Sequence, residues 1–267
     1  MVKMIVTDLD NTLLKTDKTI SDYTKSVLER CRNIGIKVVY ATARGGSAEQ
    51  LLQNALFDGR ITMNGAIAKI DDKIVYSRLI PYSSARPLLI TCHNRGLKTA
   101  VETSNKYYTN FNITDEWADI TNFEITDFTA LNMTIEKIFF VGLSPEDEDY
   151  INSILPDMLY LKMARTSEKN GFGMAMHCDA TKASASAELA RIWGITQLEI
   201  AAFGDDLNDI DLLRYCGTGV VVENGLEEAK AAADEICGSN ENDVIARWLE
   251  DRIALNNTIK YNATEGN

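Results

Sequence analysis

Two carboxylates, Asp8 and Asp10, stand two residues apart in VTDLDNTLL, straight after the apolar run Met4-Ile5-Val6. Far along the chain a second acidic group, Gly204-Asp205-Asp206-Leu207-Asn208-Asp209, follows LEIAAF, and Ala41-Thr42-Ala43-Arg44 follows IKVVY. Each group closes a short apolar segment of strand character. If those strands run parallel, their carboxyl ends share one edge, which is where open α/β sheets hold their ligands. Carboxylates gathered there repel one another unless a cation sits among them. Oxygen ligands with no neighbouring His or Cys suit Mg²⁺, which keeps several waters and takes phosphate oxygens, so the expected partner is a small phosphorylated molecule. Lys182 adds positive charge in the first turn of a helix predicted from Thr181, an end that already favours anions.

The elements that must position these groups follow from apolar periodicity. KMIVTD and IKVVYAT read as strands on either side of the amphipathic helix SDYTKSVLERCRNIG, with Ser21 as N-cap and Gly35 as stop. A helix over roughly Ser47 to Phe57 and short strands in RITMNGAIAKIDDKIVYSRLI, joined by turns at Asn64-Gly65 and Asp71-Asp72, continue the series. After Tyr82 the texture changes to a helix, extended pieces, a polar stretch rich in Thr, Asn and Asp, the strand IEKIFFVGL and a further helix. This reads as an inserted α+β module over residues 82–177. The opening rhythm then returns: helix TKASASAELARIWG, strand LEIAAFG, helix LNDIDLLRYC, strand GTGVVVEN, helix LEEAKAAADE and a closing helix over 240–253. The fold class is therefore α/β, a Rossmann-like doubly wound parallel sheet formed by residues 1–81 and 178–267, with the insertion as a second domain.

Composition bounds what this chain can do. Its 267 residues are 45% hydrophobic, enough for a full core, and 39 acidic against 27 basic residues give a formal charge of -12. That field argues against nucleic acid or an anionic membrane as partner. Five scattered cysteines without a Cys-x-x-Cys pair suggest neither a disulfide framework nor a zinc site, and reduced thiols suit a cytoplasmic protein. The opening MVKMIVTD meets an aspartate too early for a signal-peptide apolar region, and no apolar run approaches a membrane span. Nothing in the sequence indicates an oligomeric state.

DLDNT, Ala-Thr-x-Arg, a lysine heading a late helix and GDDLND, in that order, resemble the four motifs of the haloacid dehalogenase superfamily, specifically its Cof-type phosphatases. The resemblance implies a hydrolase of small phosphate monoesters, such as sugar phosphates, with the insertion as a type-2 cap that sets specificity. It implies Asp8 as the nucleophile that forms an aspartyl-phosphate and Asp10 as general acid and base. It implies Mg²⁺ held by Asp8, the backbone carbonyl of Asp10 and Asp205, with Asp209 holding a metal-bound water or orienting the loop. Thr42, Lys182 and Asn208 would contact the phosphoryl group. Asn11 stands where many members have glycine, Ala43 replaces the glycine of Ala-Thr-Gly-Arg, and Ala183 follows the lysine in place of glycine, changes that bear on substrate fit.

Plainer readings stand beside these. Asp206 is read as a helix cap, Asn64-Gly65 as a turn with contact to a leaving group as the lesser reading, and His93 and His177 as packing or surface groups. Arg44 either contacts substrate or pairs with a nearby carboxylate. Two further activities use similar residues, a phosphomutase and a non-catalytic phosphoaspartate or phosphosugar sensor. A sensor needs a long-lived acyl phosphate, which an acid and base at Asp10 would shorten.

Overall fold

The computed structural model describes residues 1–45, 48, 52, 56–103, 106–118, 120–166 and 169–252, and the side chains of 164–166, 169 and 170 are not described. The predicted helix over Ser47 to Phe57 falls mostly outside these residues, as does the polar tail beyond 252.

The chain divides into two compact units, Met1–Ser77 with Thr181–Asn267, and Arg78–Ala180. The sequence reading set the insertion at 82–177; the second unit takes in four more residues before it and three after. Its two ends meet, with Arg78 Nε 3.7 Å from Asp179 Oδ2.

In the first unit β1 (Met4–Thr7) leads through a single π-type turn, Leu9–Leu13, to α1 (Asp22–Asn33) and then β2 (Lys37–Ala41). Ser21 caps α1 by accepting from the Thr24 amide. β3 (Gly59–Thr62), β4 (Ile67–Ile70) and β5 (Lys73–Ser77) follow. The second unit then begins with β6 (Ile80–Pro81) and α2 (Tyr82–Asn94), and continues with β7 (Lys98–Glu102), β8 (Tyr107–Thr109) and β9 (Phe123–Ile125). It ends with β10 (Thr134–Ile135), β11 (Lys137–Val141), α3 (Pro145–Ile154), β12 (Leu159–Thr166) and β13 (Lys169–His177). The first unit resumes with α4 (Lys182–Trp193), β14 (Ile200–Gly204), α5 (Ile210–Tyr215), β15 (Thr218–Val221) and β16 (Glu235–Ile236), and a helix over 244–252.

The first unit holds one eight-stranded sheet in the order β16-β15-β14-β1-β2-β3-β4-β5, parallel from β16 to β3 and antiparallel at β4 and β5. Alternation along the strands sends Ile5, Val38, Tyr40 and Phe203 to one face, against Val27, Leu28 and Cys31 of α1 and Ile245 and Leu249. Met4, Val6, Val39 and Ala202 turn to the other, against Ala185 and Leu189 of α4 and Leu212 and Leu213 of α5. Both faces are covered, so the central strands read as continuous apolar runs. Successive strands are laid down outward from β1 in both directions, and the order reverses between β1 and β14, the switch point where such sheets open a crevice.

Two expectations change. The helix predicted at LEEAKAAADE is one turn, Glu227–Lys230, because the chain then bends to add β16 beside β15. The closing helix starts at 244, since Asp243 adopts a left-handed φ of 52° that breaks it from the preceding turn.

The second unit has a six-stranded sheet, β12-β13-β11-β7-β8-β9, antiparallel except between β8 and β9, and a two-stranded pair of β10 with β6. One face, with Val101, Ile138, Phe140 and Ala175, lies against Ala85, Leu88, Leu89 and Cys92 of α2 and Ile151 of α3. Among the described residues no helix is long and apolar enough to cross a membrane.

Phe203 is fully buried on β14 and meets the Trp248 ring edge-on at 5.1 Å. Phe203→Ala should cost about 3–5 kcal/mol in urea unfolding, and a loss below about 1 kcal/mol would contradict this account of the core.

Candidate functional site

Every group singled out at a strand end lies in the first unit, at the carboxyl edge of its parallel strands. β1 delivers Asp8, β2 delivers Thr42 and Arg44, and β14 delivers Asp205. Parallel registry aligns Thr7 with both Tyr40 and Phe203, so the residues that follow emerge side by side.

Lys182 binds the first and last of these segments together. As the first residue of α4 it is 1% exposed, and its ammonium donates to Asp8 Oδ1 at 2.5 Å and to Asp209 Oδ1 at 2.6 Å. Thr181 fixes the helix start by accepting from the Ser184 amide. Burial works against the charged lysine, but Asp209 and Asp8 more than offset it and hold its pKa above the ordinary value. Asp209 is fully buried, and its Oδ2 accepts the amides of Asp205 and Asp206 at 3.1 Å each. Both of its oxygens are therefore committed to holding the loop and the lysine. Gly204 makes this possible, since a Cβ there would lie 2.5 Å from the Asp209 carboxyl carbon.

Asp8, Asp205 and Asp209 each offer an oxygen within 4.8 Å of the others. Burial pushes the Asp8 carboxyl well above the usual carboxylate range against the pull of Lys182, with Asp209 and Asp205 pushing the same way. Burial also pushes Asp205 up to about 6, opposed by the Thr12 hydroxyl, which donates to its Oδ1 at 2.7 Å, and assisted by Asp209 and Asp206. One buried ammonium thus serves three carboxylates. This all-oxygen donor set, short of positive charge, fits a divalent cation.

Asp10 is differently placed. Arg44 grips it in a fork, Nε to Oδ2 at 2.6 Å and Nη2 to Oδ1 at 2.7 Å, and Lys18 adds a contact at 2.8 Å. Hydrogen bonding from Arg44, and then Lys18, holds its carboxyl at about 2 in spite of partial burial. Of the two readings of Arg44, the structure has the carboxylate partner.

Thr42 is 1% exposed, its Oγ1 accepts the Arg44 amide at 3.1 Å, and its carbonyl accepts from the Asn64 amide at 3.0 Å. Asn208 donates to Asn64 Oδ1 at 2.8 Å. Asp206 caps the next turn by accepting from the Leu207 amide, as read from sequence. Asn11 has φ 60° and ψ 6°, a left-handed conformation that Gly and Asn adopt most readily, which explains why one can stand in for the other in this turn.

Sequence reasoning missed Thr12 and Lys18 as partners within the site, and gave Asn64 a contact to the leaving group only as the lesser reading. Thr12 lay in the quoted motif and Asn64 sat close after a fourth strand end, so both carried a signal. Lys18 carried none.

A family model described as haloacid dehalogenase-like hydrolase matches residues 5–249. The 5-amino-6-(5-phospho-D-ribitylamino)uracil phosphatase YitU of Bacillus subtilis is 27% identical over 278 residues, covering 94% of this chain and 98% of that one. A second phosphatase of the same name from that organism, YcsE, is 26% identical over 252 residues, covering 93% and 94%. Among solved structures, the phosphatase BT1666 from Bacteroides thetaiotaomicron has the same fold, with a TM-score of 0.80 at 23% identity, covering 94% of this chain and 95% of that one.

Gly65 has φ +100°, and a Cβ there would lie 2.0 Å from the Thr181 carbonyl oxygen, one residue before Lys182. Gly65→Ala should cost at least about 1–3 kcal/mol in backbone strain and displace the lysine; an unchanged urea midpoint would contradict this. Asp10 gives a pH prediction. Its folded pKa of about 2 lies below the ordinary carboxyl value of about 3.9, so its stabilisation is complete above about pH 4 and is lost as pH falls to about 2. Arg44→Gln should flatten the fall in stability across that window, measured by urea unfolding at each pH, and equal slopes would count against the pairing.

Proposed function

The chain belongs to the haloacid dehalogenase-like hydrolases, and from that membership we propose that it is a Mg²⁺-dependent Cof-type phosphatase that cleaves small phosphate monoesters through a phosphorylated Asp8. It is a phosphoric monoester hydrolase, as its Bacillus relatives are by name. The observation that carries the finer reading is the buried cluster of Asp8, Asp205 and Asp209 around a single Lys182 ammonium.

In this reading Asp8 Oδ2 attacks phosphorus, the bond from phosphorus to the alcohol oxygen breaks, and the leaving oxygen takes a proton from Asp10. Water then attacks the aspartyl-phosphate, gives its proton to Asp10 and releases inorganic phosphate. The fork of Arg44 on Asp10 keeps that carboxyl ionised but weakly basic, so as it stands it favours neither step. The first step needs Asp10 protonated, so Arg44 must let go of it before the alcohol leaves. Lys182 and the Thr42 and Asn208 side chains would neutralise and orient the phosphoryl oxygens.

Asp8 and Asp205, with the backbone carbonyl of Asp10, would hold Mg²⁺, and Asp209 would position that loop. When bound, the cation supplies the positive charge that keeps Asp8 ionised beside an anionic substrate. The inserted unit is the candidate for choosing the alcohol. Sugar phosphates and related metabolites are the substrate class, in keeping with the phosphorylated ribityl compound for which the two Bacillus relatives are named. A cytoplasmic setting is supported by five cysteines that form no disulfide.

Purified protein with a chromogenic phosphate ester should turn over only with Mg²⁺, stop with chelator, and lose at least about a thousandfold in Asp8→Asn. Metal-independent turnover or an active Asp8→Asn protein would overturn the proposal. The raised carboxyls add a test of sign. Asp205, at about 6 folded, is neutral at pH 5 and destabilising once ionised at pH 7, so Mg²⁺ should raise the melting temperature more at pH 7 than at pH 5.

A further inference from the structure

The cation proposed above would be shared by two loops of the first unit, the turn after β1 with Asp8 and the loop after β14 with Asp205. Parallel pairing of β1 with β14 fixes where those loops begin. Beyond the strands the charge of Asp205 acts against that of Asp8, so their spacing depends on what joins the loops. The Thr12 hydroxyl joins them through the Asp205 carboxylate itself. A second joint acts on backbone alone.

That joint is the segment after β15, a strand separated from β1 by β14. Asn224 reaches past β14, and its Nδ2 donates to the Asn11 carbonyl at 2.8 Å. Two residues on, the Leu226 amide donates to the Asp205 carbonyl at 2.8 Å. A tight turn connects these two bonds, with the Gly225 amide on the Val222 carbonyl at 2.9 Å. It lies so close to the acidic loop that a Cβ on Gly225 would stand 3.0 Å from the Asp205 carbonyl oxygen. Asn224 is anchored in turn: its Oδ1 accepts the Asn240 amide at 3.1 Å, and the buried Asn240 side chain donates to the Leu14 carbonyl at 2.9 Å. The turn after β1 is thus held on both sides of Thr12, at Asn11 and at Leu14.

The chemistry of this tether is specific. Asn224 is exposed, a setting in which substitution is ordinarily tolerated, yet its side chain serves backbone groups of two other segments. An amide both donates and accepts, as the Asn11 carbonyl and the Asn240 N–H together require, and it carries no charge. A lysine or arginine could also bind a carbonyl, but its fixed charge would compete with a cation for the field of the carboxylates.

We propose that Asn224 is a positioning residue for the divalent cation: by tying the Asn11 turn to the Asp205 loop it holds the Asp8 and Asp205 segments at a fixed separation. It acts through those backbones and not on the substrate. The inference rests on the Mg²⁺ reading above.

Calorimetric titration of Mg²⁺ into the full chain, without substrate, tests this apart from turnover. Asn224→Ala should raise the Mg²⁺ Kd by roughly three- to tenfold, the worth of a hydrogen bond. Asn224→Asp supplies a test of sign. It keeps the shape, removes the donor to Asn11 and adds a negative charge beside an acidic site. Charge alone would tighten Mg²⁺ binding, whereas loss of the tether weakens it, and weaker binding is expected in both variants. Leu249→Ala, a change in the core, should lower the urea midpoint and leave the Kd as it is. An unchanged Kd in Asn224→Ala, tighter binding in Asn224→Asp, or an equal rise in Leu249→Ala overturns the role of Asn224 and leaves the Mg²⁺ reading standing. A wild-type chain that takes up no Mg²⁺ overturns that reading and this inference with it.

Discussion

A single buried ammonium holds the acidic site of this protein together. Lys182 reaches Asp8, 174 residues earlier in the chain, and Asp209, 27 residues later, at the distances of strong charge-assisted hydrogen bonds. An uncompensated charge in that setting would be severely destabilising, so the lysine and its carboxylates must arrive together. Their arrival depends on α4, whose Ala185 and Leu189 sit in the core against Met4, Val6 and Val39. Packing on the sheet thereby sets where the positive charge stands, and the charge in turn fixes where Asp8 points.

The imbalance around Lys182 is as informative as the bonds. Three carboxylates lie close together, yet Arg44, whose charge Asp8 also feels, is spent on Asp10. The site is therefore divided into two electrostatic compartments. Asp8, Asp205 and Asp209 form one that is poor in positive charge. Asp10 forms the other, overcompensated by Arg44 and Lys18, where the carboxyl stays ionised down to about pH 2. Two aspartates only two residues apart are thus driven in opposite directions, Asp8 toward its neutral form and Asp10 toward its ionised form.

Much of this was legible in the sequence, for physical reasons. Short apolar runs fix buried parallel strands, parallel strands share an edge, and so Asp8, Thr42 and Asp205 had to converge. Lys182 could be placed because Thr181 is a recognisable N-cap. Arg44 stayed ambiguous, since a guanidinium pairs with whichever carboxylate the loops bring near, and loop paths have no periodicity. Lys18 sits in a turn with a left-handed φ of 65° that no apolar pattern announces. The inserted sheet was the least readable part. Its outer face mixes Phe139 and Phe172 with Lys137 and Glu102, which blurs the alternation that identifies a strand with one wet side.

The meeting of Arg78 with Asp179 at the two ends of the inserted unit bears on how the chain assembles. The first unit is discontinuous: Thr12 and Asp205, which bond to each other, are 193 residues apart. Closing so long a loop is entropically costly and slows the pairing of β1 with β14. An insertion that folds first and brings its own ends together acts as a short staple in place of a long tether. If the inserted unit folds before the first, it shortens the search that reunites the two halves it separates.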